Sequence, residues 1–251
     1  MSARGARTGR GPEPGGRRRR LLGAAVPVAV LCAAAVLGPR WNTGAEDRSD
    51  ASGTPGASAS SGNPAATGTF TVARGGPAGS GGNGDGSRAY RVEVEDGSGV
   101  DPDLAADEIA RVLAAPRGWA HHGKHRFRRV SSGPAGLVVR IATPATTDAL
   151  CGKGGLDTHG EVNCRVGADV MVNLKRWQQG SPEFRGPLAE YRALIINHEV
   201  GHWLGHGHET CPGPGRPAPV MMQQIYGLKG CVANAWPYGT TDRYLSGPAV
   251  P

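Results

Sequence analysis

One segment constrains this 251-residue chain more than any other. Between residues 198 and 208, three histidines, a glutamate and a glycine follow the spacing His-Glu-x-x-His-x-x-Gly-x-x-His. Residues four positions apart project from nearly the same side of a helix, so His198 and His202 can reach one metal ion together. Glu199 lies about 100° further around the helix, close enough to touch a water on that ion without binding the ion. The spacing therefore predicts a catalytic metal site.

The third ligand requires the helix to end. In an unbroken helix His208 would lie about 9 Å beyond His202 and face away from it. Gly205 suits the necessary bend, because glycine adopts positive φ without penalty and commonly follows a helix C-terminus. His206 is the alternative ligand, but positions 198, 202 and 206 would span about 12 Å, too far for one ion with Zn–N bonds of about 2 Å. We therefore favour His208.

The predicted coordination is that of a catalytic ion. Three neutral imidazoles leave a fourth position for water, as in catalytic rather than structural zinc sites. We therefore expect one catalytic Zn²⁺, with Glu199 accepting a proton from the zinc-bound water as it attacks a carbonyl carbon.

Apolar residues around the motif predict a central helix from about residue 187 to residue 204. The two histidines continue an apolar stripe at 3-4 spacing, which turns them towards the protein interior. The stripe contains Leu188, Tyr191 and Ile195, and a second apolar side contains Ile196, Val200 and Trp203. Inward-facing imidazoles need partners, and a metal ion supplies them.

The segment resembles the signature of the metzincin metallopeptidases. The residues that correspond to its zinc ligands, general base and turn glycine are His198, His202, His208, Glu199 and Gly205. This resemblance implies a zinc-dependent peptidase with a metzincin-like α+β domain.

Metzincins also carry a methionine in a tight turn beneath the metal, and the segment Pro219-Val220-Met221-Met222 is similar to that turn. Met221 is the favoured residue, with Met222 as the alternative. A second interpretation is that both methionines fill a gap in the core. No tyrosine stands two residues after either methionine, so a tyrosine ligand or switch is not expected.

A wider resemblance covers residues 90–238, which are similar to a family of exported bacterial proteins known chiefly as a domain of unknown function. Its hallmarks here are residues 90–95, 142–148 and 211–215. This resemblance supports the class of zinc peptidase and supplies no substrate.

Positive charge is concentrated at the N-terminus. Residues 1–20 contain seven arginines and one glutamate, a net charge of +6 out of the +7 of the chain. This segment is predicted to be a basic cytoplasmic tail. The remainder contains no basic stripe with interleaved aromatic residues, so no nucleic-acid partner is expected.

Residues 21–38 carry no charge and predict a membrane segment. As a helix they would extend about 27 Å, just enough to cross a bilayer core of about 30 Å. The alternative is a cleaved signal peptide, because Ala33-Ala34-Ala35 offers a small-residue cleavage site. Either way the bulk of the chain is expected outside: as the outer domain of a single-pass cell-membrane protein, or as a protein secreted after cleavage.

The next segment, residues 39–88, is dominated by glycine, serine, alanine, threonine and proline, and is predicted to be a disordered linker. Within it, residues 70–72 form a short apolar segment, which is compatible with part of the linker or with an outlying strand.

Residues 89–251 are predicted to form one α+β, metzincin-like peptidase domain with a mixed sheet. Expected strands lie at residues 90–95, 127–130, 137–142 and 168–174, and an N-terminal helix is expected from Pro102 to about Ala115. An edge strand of this sheet could hold an extended peptide by strand addition.

Four cysteines follow the apolar segment, and an even number in an exported domain favours disulfides. Four cysteines permit three pairings, of which we favour the local one, Cys151 with Cys164 and Cys211 with Cys231. The second bridge would enclose the methionine pair and brace the floor of the metal site.

These observations predict an exported or membrane-tethered zinc endopeptidase that acts on peptide or protein substrates in the cell envelope or outside the cell. A zinc amidase acting on cell-wall material would use the same residues, because zinc-bound hydroxide does not itself select the amide. The third hypothesis is an extracellular binding domain whose zinc only stabilises it. Glu199 argues against this, since a structural site has no need of a base.

Overall fold

The computed structural model describes residues 64–76 and 86–250. The predicted tail at 1–20, the apolar segment at 21–38 and most of the predicted linker lie outside the described residues. The chain divides into two units, Met1–Ala57 and Ser58–Pro251, and every described residue belongs to the second. Within the described ranges, no helix is long and apolar enough to cross a membrane.

The described domain is a mixed α+β structure built on one sheet. Its strands are β1 (Phe70–Val72), β2 (Arg88–Glu95), β3 (Phe127–Arg129), β4 (Leu137–Ala142), β5 (Cys164–Val166) and β6 (Asp169–Asn173). The order across the sheet is β1-β2-β4-β6-β5, and β3 pairs with β2. Strands β2, β4 and β6 are parallel, β3 is parallel to β2, and β1 and β5 are antiparallel to their neighbours. The predicted mixed sheet is confirmed.

In the part of the chain that the structure describes, four α-helices accompany the sheet: α1 (Pro102–Ala114), α2 (Pro144–Gly152), α3 (Leu174–Gln179) and α4 (Leu188–Trp203). Helix α1 begins where the sequence predicts, because the Asp101 carboxylate accepts the backbone N–H groups of Asp103 and Leu104. Helix α4 is the predicted central helix, and both of its apolar sides are largely buried.

Alternation along the strands separates two apolar layers. The main core contains the side chains of β2, β4 and β6 that face α1 and α4; from β4 and β6 these are Leu137, Val139, Ile141, Val170 and Val172. Met171 points to the other side of the sheet, where it packs with the disulfide cysteines Cys151 and Cys164. The central helix therefore lies against one continuous apolar layer.

Part of the predicted linker is folded. The short apolar segment at residues 70–72 forms β1, whose Phe70 pairs with Glu95 of β2. The ordered domain therefore begins before residue 89. Hydrogen bonding to β2 stabilises this short apolar segment, and the composition of the segment does not reveal that pairing.

The sequence did not predict α2, α3 or β5. Each is short, and their formation depends on caps and on a covalent link that the hydrophobic pattern does not contain. The Thr143 side chain caps α2 and the Asn173 side chain caps α3, and Cys164 of β5 is bonded to Cys151 of α2.

Glu95 of β2 joins the segment before β1 and the start of α2 to the sheet. It is 1% exposed. Its carboxylate accepts the backbone N–H groups of Thr67 and Gly68 at 2.8 Å each, the N–H of Thr143 at 2.6 Å and the hydroxyl of Thr146 at 2.6 Å. Burial by itself raises the pKa of Glu95, but these hydrogen bonds outweigh it and hold the pKa below its ordinary value of 4.5.

Replacing Glu95 with glutamine should lower the free energy of unfolding by about 2–3 kcal/mol near neutral pH, because a charged acceptor of several buried donors is lost. Since the folded pKa lies below the unfolded one, this contribution is present above the unfolded pKa and is lost as pH falls through the folded pKa. Urea unfolding of both proteins at about pH 7 and about pH 3 tests the prediction. An equal difference between the two proteins at both pH values would contradict it.

Candidate metal centre

Three of the histidines in the motif converge on one point. The Nε2 atom of His202 lies 3.2 Å from Nε2 of His198 and 3.1 Å from Nε2 of His208. Two nitrogen ligands of a tetrahedral zinc ion, each about 2.0–2.1 Å from the metal, are about 3.3 Å apart. The observed separations therefore fit three ligands of a single zinc ion.

Backbone carbonyls fix the orientation of two of these rings by accepting hydrogen bonds from the other ring nitrogen, Nδ1. Nδ1 of His198 lies 2.8 Å from the Val220 carbonyl oxygen, and Nδ1 of His202 lies 2.9 Å from the His206 carbonyl oxygen. A carbonyl only accepts, so each Nδ1 carries the proton and donates it. In a neutral imidazole this leaves the lone pair on Nε2, where a metal would bind.

Burial keeps the first of these imidazoles neutral. It lowers the pKa of His198 to about 3, and the neighbouring His202 adds to the effect. A neutral ring is the form that binds a metal, so no proton has to be displaced at neutral pH.

The end of α4 brings the third histidine back to the other two. Gly205 has φ of +95°. Its N–H donates to the His202 carbonyl at 3.0 Å, and the N–H of His206 donates to the Gly201 carbonyl at 2.9 Å. These two bonds form a Schellman motif, which ends the helix and reverses the chain. The predicted break at Gly205 is present, and it allows His208 to reach its partners.

His206 lies apart from the three-histidine group. Its ring stacks on Trp119, with ring centroids 4.4 Å apart. Its contribution to the centre is the carbonyl that orients His202.

Glu199 lines the same cleft as the three histidines and is 5% exposed. Burial raises its pKa to about 8, and the positive charge of Arg165 opposes that shift. A carboxyl group in such a setting exchanges protons readily near neutral pH, as a general base requires.

The predicted methionine turn lies beneath α4. The N–H of Met222 donates to the Pro219 carbonyl at 3.0 Å, which closes a turn with Met221 at its third position. Met221 is fully buried, and a Cβ atom built at Gly201 would clash with its sulfur. Met222 instead lines the cleft beside the histidines. The two methionines therefore have different positions, one under the helix and one at the cleft.

Both predicted disulfides are present, Cys151–Cys164 with a Cα–Cα distance of 6.2 Å and Cys211–Cys231 with 5.8 Å. The first joins α2 to β5. The second closes the loop that contains the methionine turn, so the floor of the centre is covalently bounded.

A buried polar network also holds this floor, and no pattern in the sequence indicates it. Gln224 donates from Nε2 to the carbonyls of Pro219 at 3.2 Å and Asn234 at 2.7 Å. Asn234 donates from Nδ2 to the Ala218 carbonyl at 2.9 Å. Glutamine and asparagine in a glycine- and proline-rich segment are normally exposed, so only the three-dimensional contacts reveal their role.

A cleft of about 350 Å³ opens onto the histidines and Glu199. One wall is formed by the loop that the first disulfide closes, together with β5. Ile225 and Tyr226 also line the cleft. Arg165 of β5 also lines the cleft; it was not predicted, since a single arginine in a short turn-rich segment carries no pattern.

The fold and the site together define a mixed α+β domain with a three-histidine group beside a buried glutamate. Residues 55–234 match the model of a family described as protein of unknown function, DUF3152. The match covers more than half of the chain, and the chain belongs to this family. Comparison with curated proteins and with solved structures found no match.

Zinc binding should separate the two candidate third ligands. His208→Ala removes one of the converging nitrogens and should weaken zinc binding by more than about 100-fold. His206→Ala keeps the carbonyl that orients His202 and should change affinity far less. Competitive titration with a zinc chelator measures both, and a larger loss in the His206 variant would refute the assignment.

Gly201→Ala tests the contact between α4 and the methionine turn. The new Cβ would clash with Met221 and lie 2.9 Å from Cζ2 of Trp119. Overpacking of this kind should lower the stability by about 1–3 kcal/mol and weaken zinc binding. Gly207→Ala is the matched control, because a Cβ there meets nothing within 4 Å. Equal thermal stability of the two variants would contradict this packing.

Proposed function

We propose that this protein is an exported zinc-dependent metallopeptidase that hydrolyses peptide bonds in the manner of the metzincins. One observation carries the proposal: three imidazole Nε2 atoms converge at zinc-ligand spacing in a cleft that also holds a buried glutamate. A site that served only to stabilise the fold would need neither the glutamate nor the cleft.

His198, His202 and His208 would hold the zinc ion. When bound, the ion supplies a Lewis acid that polarises a carbonyl and lowers the pKa of a bound water. Glu199 takes the proton from the attacking water and passes it to the leaving amine. The carbonyls of Val220 and His206 keep two of the ligand rings in the binding tautomer throughout.

The substrate would bind as an added strand. β5 stands at the end of the sheet, pairs with β6 on one side, and lines the cleft through Cys164 and Arg165. An extended peptide can hydrogen-bond to the free edge of such a strand. This arrangement supports an endopeptidase, since a bound strand can continue past both ends of a short edge.

Three further features support a metzincin-like domain. The motif has the required spacing, the chain reverses at Gly205, and a methionine turn packs under the active helix. Each depends on a different local structure, and together they support this class more strongly than the motif does alone.

The disulfides support an oxidising location. With residues 21–38 as a membrane anchor or a cleaved signal peptide, we place the domain outside the cell membrane, acting on peptides or proteins there.

Glu199→Gln tests the mechanism. The variant should retain zinc, since Glu199 is not a ligand, and should lose about 10²–10⁴-fold in kcat/KM on a peptide library. Glu183→Gln, at an exposed glutamate outside the cleft-lining residues, should behave as wild type. A Glu199→Gln protein that keeps zinc and cleaves at the wild-type rate would refute the mechanism. Release of fragments from purified cell wall, without cleavage of peptides, would favour the amidase instead.

A further inference from the structure

β5 presents Arg165 to the cleft. Successive side chains of a strand point to opposite faces of a sheet. Cys164 and Val166 pack on the side of Cys151 and Met171, away from the main core. Arg165 lies between them and lines the cleft together with the histidines and Glu199. Its side chain therefore extends on the face of the sheet that carries the candidate metal centre.

Among the described residues, the guanidinium of Arg165 has no anionic partner. Nη1 donates to the Gly167 carbonyl at 2.9 Å, while Nε is buried with no hydrogen-bond partner. None of the ion pairs formed by the described residues includes this arginine. A buried N–H without an acceptor is unfavourable, and a carboxylate that accepted from Nε would remove that cost.

Arg165 is also distinctive among its neighbours. Of the described residues that line the cleft, it is the one with a lysine or arginine side chain. It lines the same cleft as Glu199 and the three histidines, so the guanidinium borders the space in which a substrate would meet these groups. A ligand group held by Arg165 would therefore lie near the bond to be cleaved.

We propose that Arg165 selects substrates that carry an aspartate or glutamate side chain close to the scissile bond. This inference rests on the proposed peptidase function and adds a substrate class to it. A peptide paired with β5 would place alternate side chains on the face of Arg165, with Cβ atoms of facing residues about 5 Å apart. A carboxylate there accepts hydrogen bonds from the planar guanidinium, a charge-assisted pairing that glutamine forms only weakly.

Cleavage of matched peptides tests the preference. The zinc-loaded full-length protein is first given a peptide library, and the position enriched in acidic residues is identified. Pairs with glutamate or glutamine at that position are then compared, each with a free or an amidated C-terminus. The glutamate peptide should be cleaved about tenfold or more faster, whichever terminus it carries. Equal rates for the two peptides, or a preference that disappears on amidation, would overturn the inference.

Charge reversal separates recognition from a merely structural effect. Arg165→Gln should reduce the glutamate-to-glutamine rate ratio to near one, and Arg165→Glu should favour lysine at the same position. Arg128→Gln is the matched control, because Arg128 also has a buried, unpartnered Nε but lies on β3, outside the cleft-lining residues. An Arg165→Gln protein that keeps the wild-type ratio would refute the assignment.

Binding gives a readout that does not need turnover. Isothermal titration of the Glu199→Gln protein should show about tenfold tighter binding of the glutamate peptide than of the glutamine peptide, and Arg165→Gln in the same background should remove the difference. Absence of Glu199-dependent cleavage of any peptide would defeat the proposed function. Cleavage without discrimination would defeat only the role of Arg165.

Discussion

The hydrogen bond from Nδ1 of His198 to the Val220 carbonyl connects the two parts on which this centre depends. One part is the buried helix α4, and the other is the irregular segment that contains the methionine turn. The bond fixes a ligand ring and positions the turn at the same time. Met221 then packs against Gly201, so the helix and its floor make contact both through a polar group and through a tight apolar one.

A second backbone carbonyl acts in the same way at the end of the helix. The chain reverses at Gly205, and the His206 carbonyl returns to the ring of His202. Two candidate ligands on one regular helix, His198 and His202, are therefore oriented by two irregular segments. Distortion of either segment would turn a ring away from the metal position while leaving the helix intact, so the loops, more than the helix, determine the precision of the centre.

The sequence predicted the parts that follow a periodic or local rule. One strong signal each predicted helix α4 by its apolar periodicity, α1 by its proline and cap, β2 and β6 by their alternation, and β4 by its apolar run. The grouping of His198, His202 and His208 followed from helical spacing and one glycine. The pairing of four cysteines was predicted correctly by proximity in the chain. What escaped prediction depends on contacts between distant segments: the acceptors of the histidine protons, the stacking of His206 on Trp119, the buried Gln224 and the position of Arg165.

The Cys211–Cys231 bridge has a consequence for the lifetime of the molecule. It spans a glycine- and proline-rich loop of the kind in which proteolytic cuts concentrate, and the domain is itself proposed to be a peptidase. A single cut inside that loop would leave both new ends covalently joined, with the Met221 segment still attached to the rest of the chain. Without the bridge, such a cut would split the protein into two chains. With the bridge, the nicked protein stays connected and can keep the three histidines together.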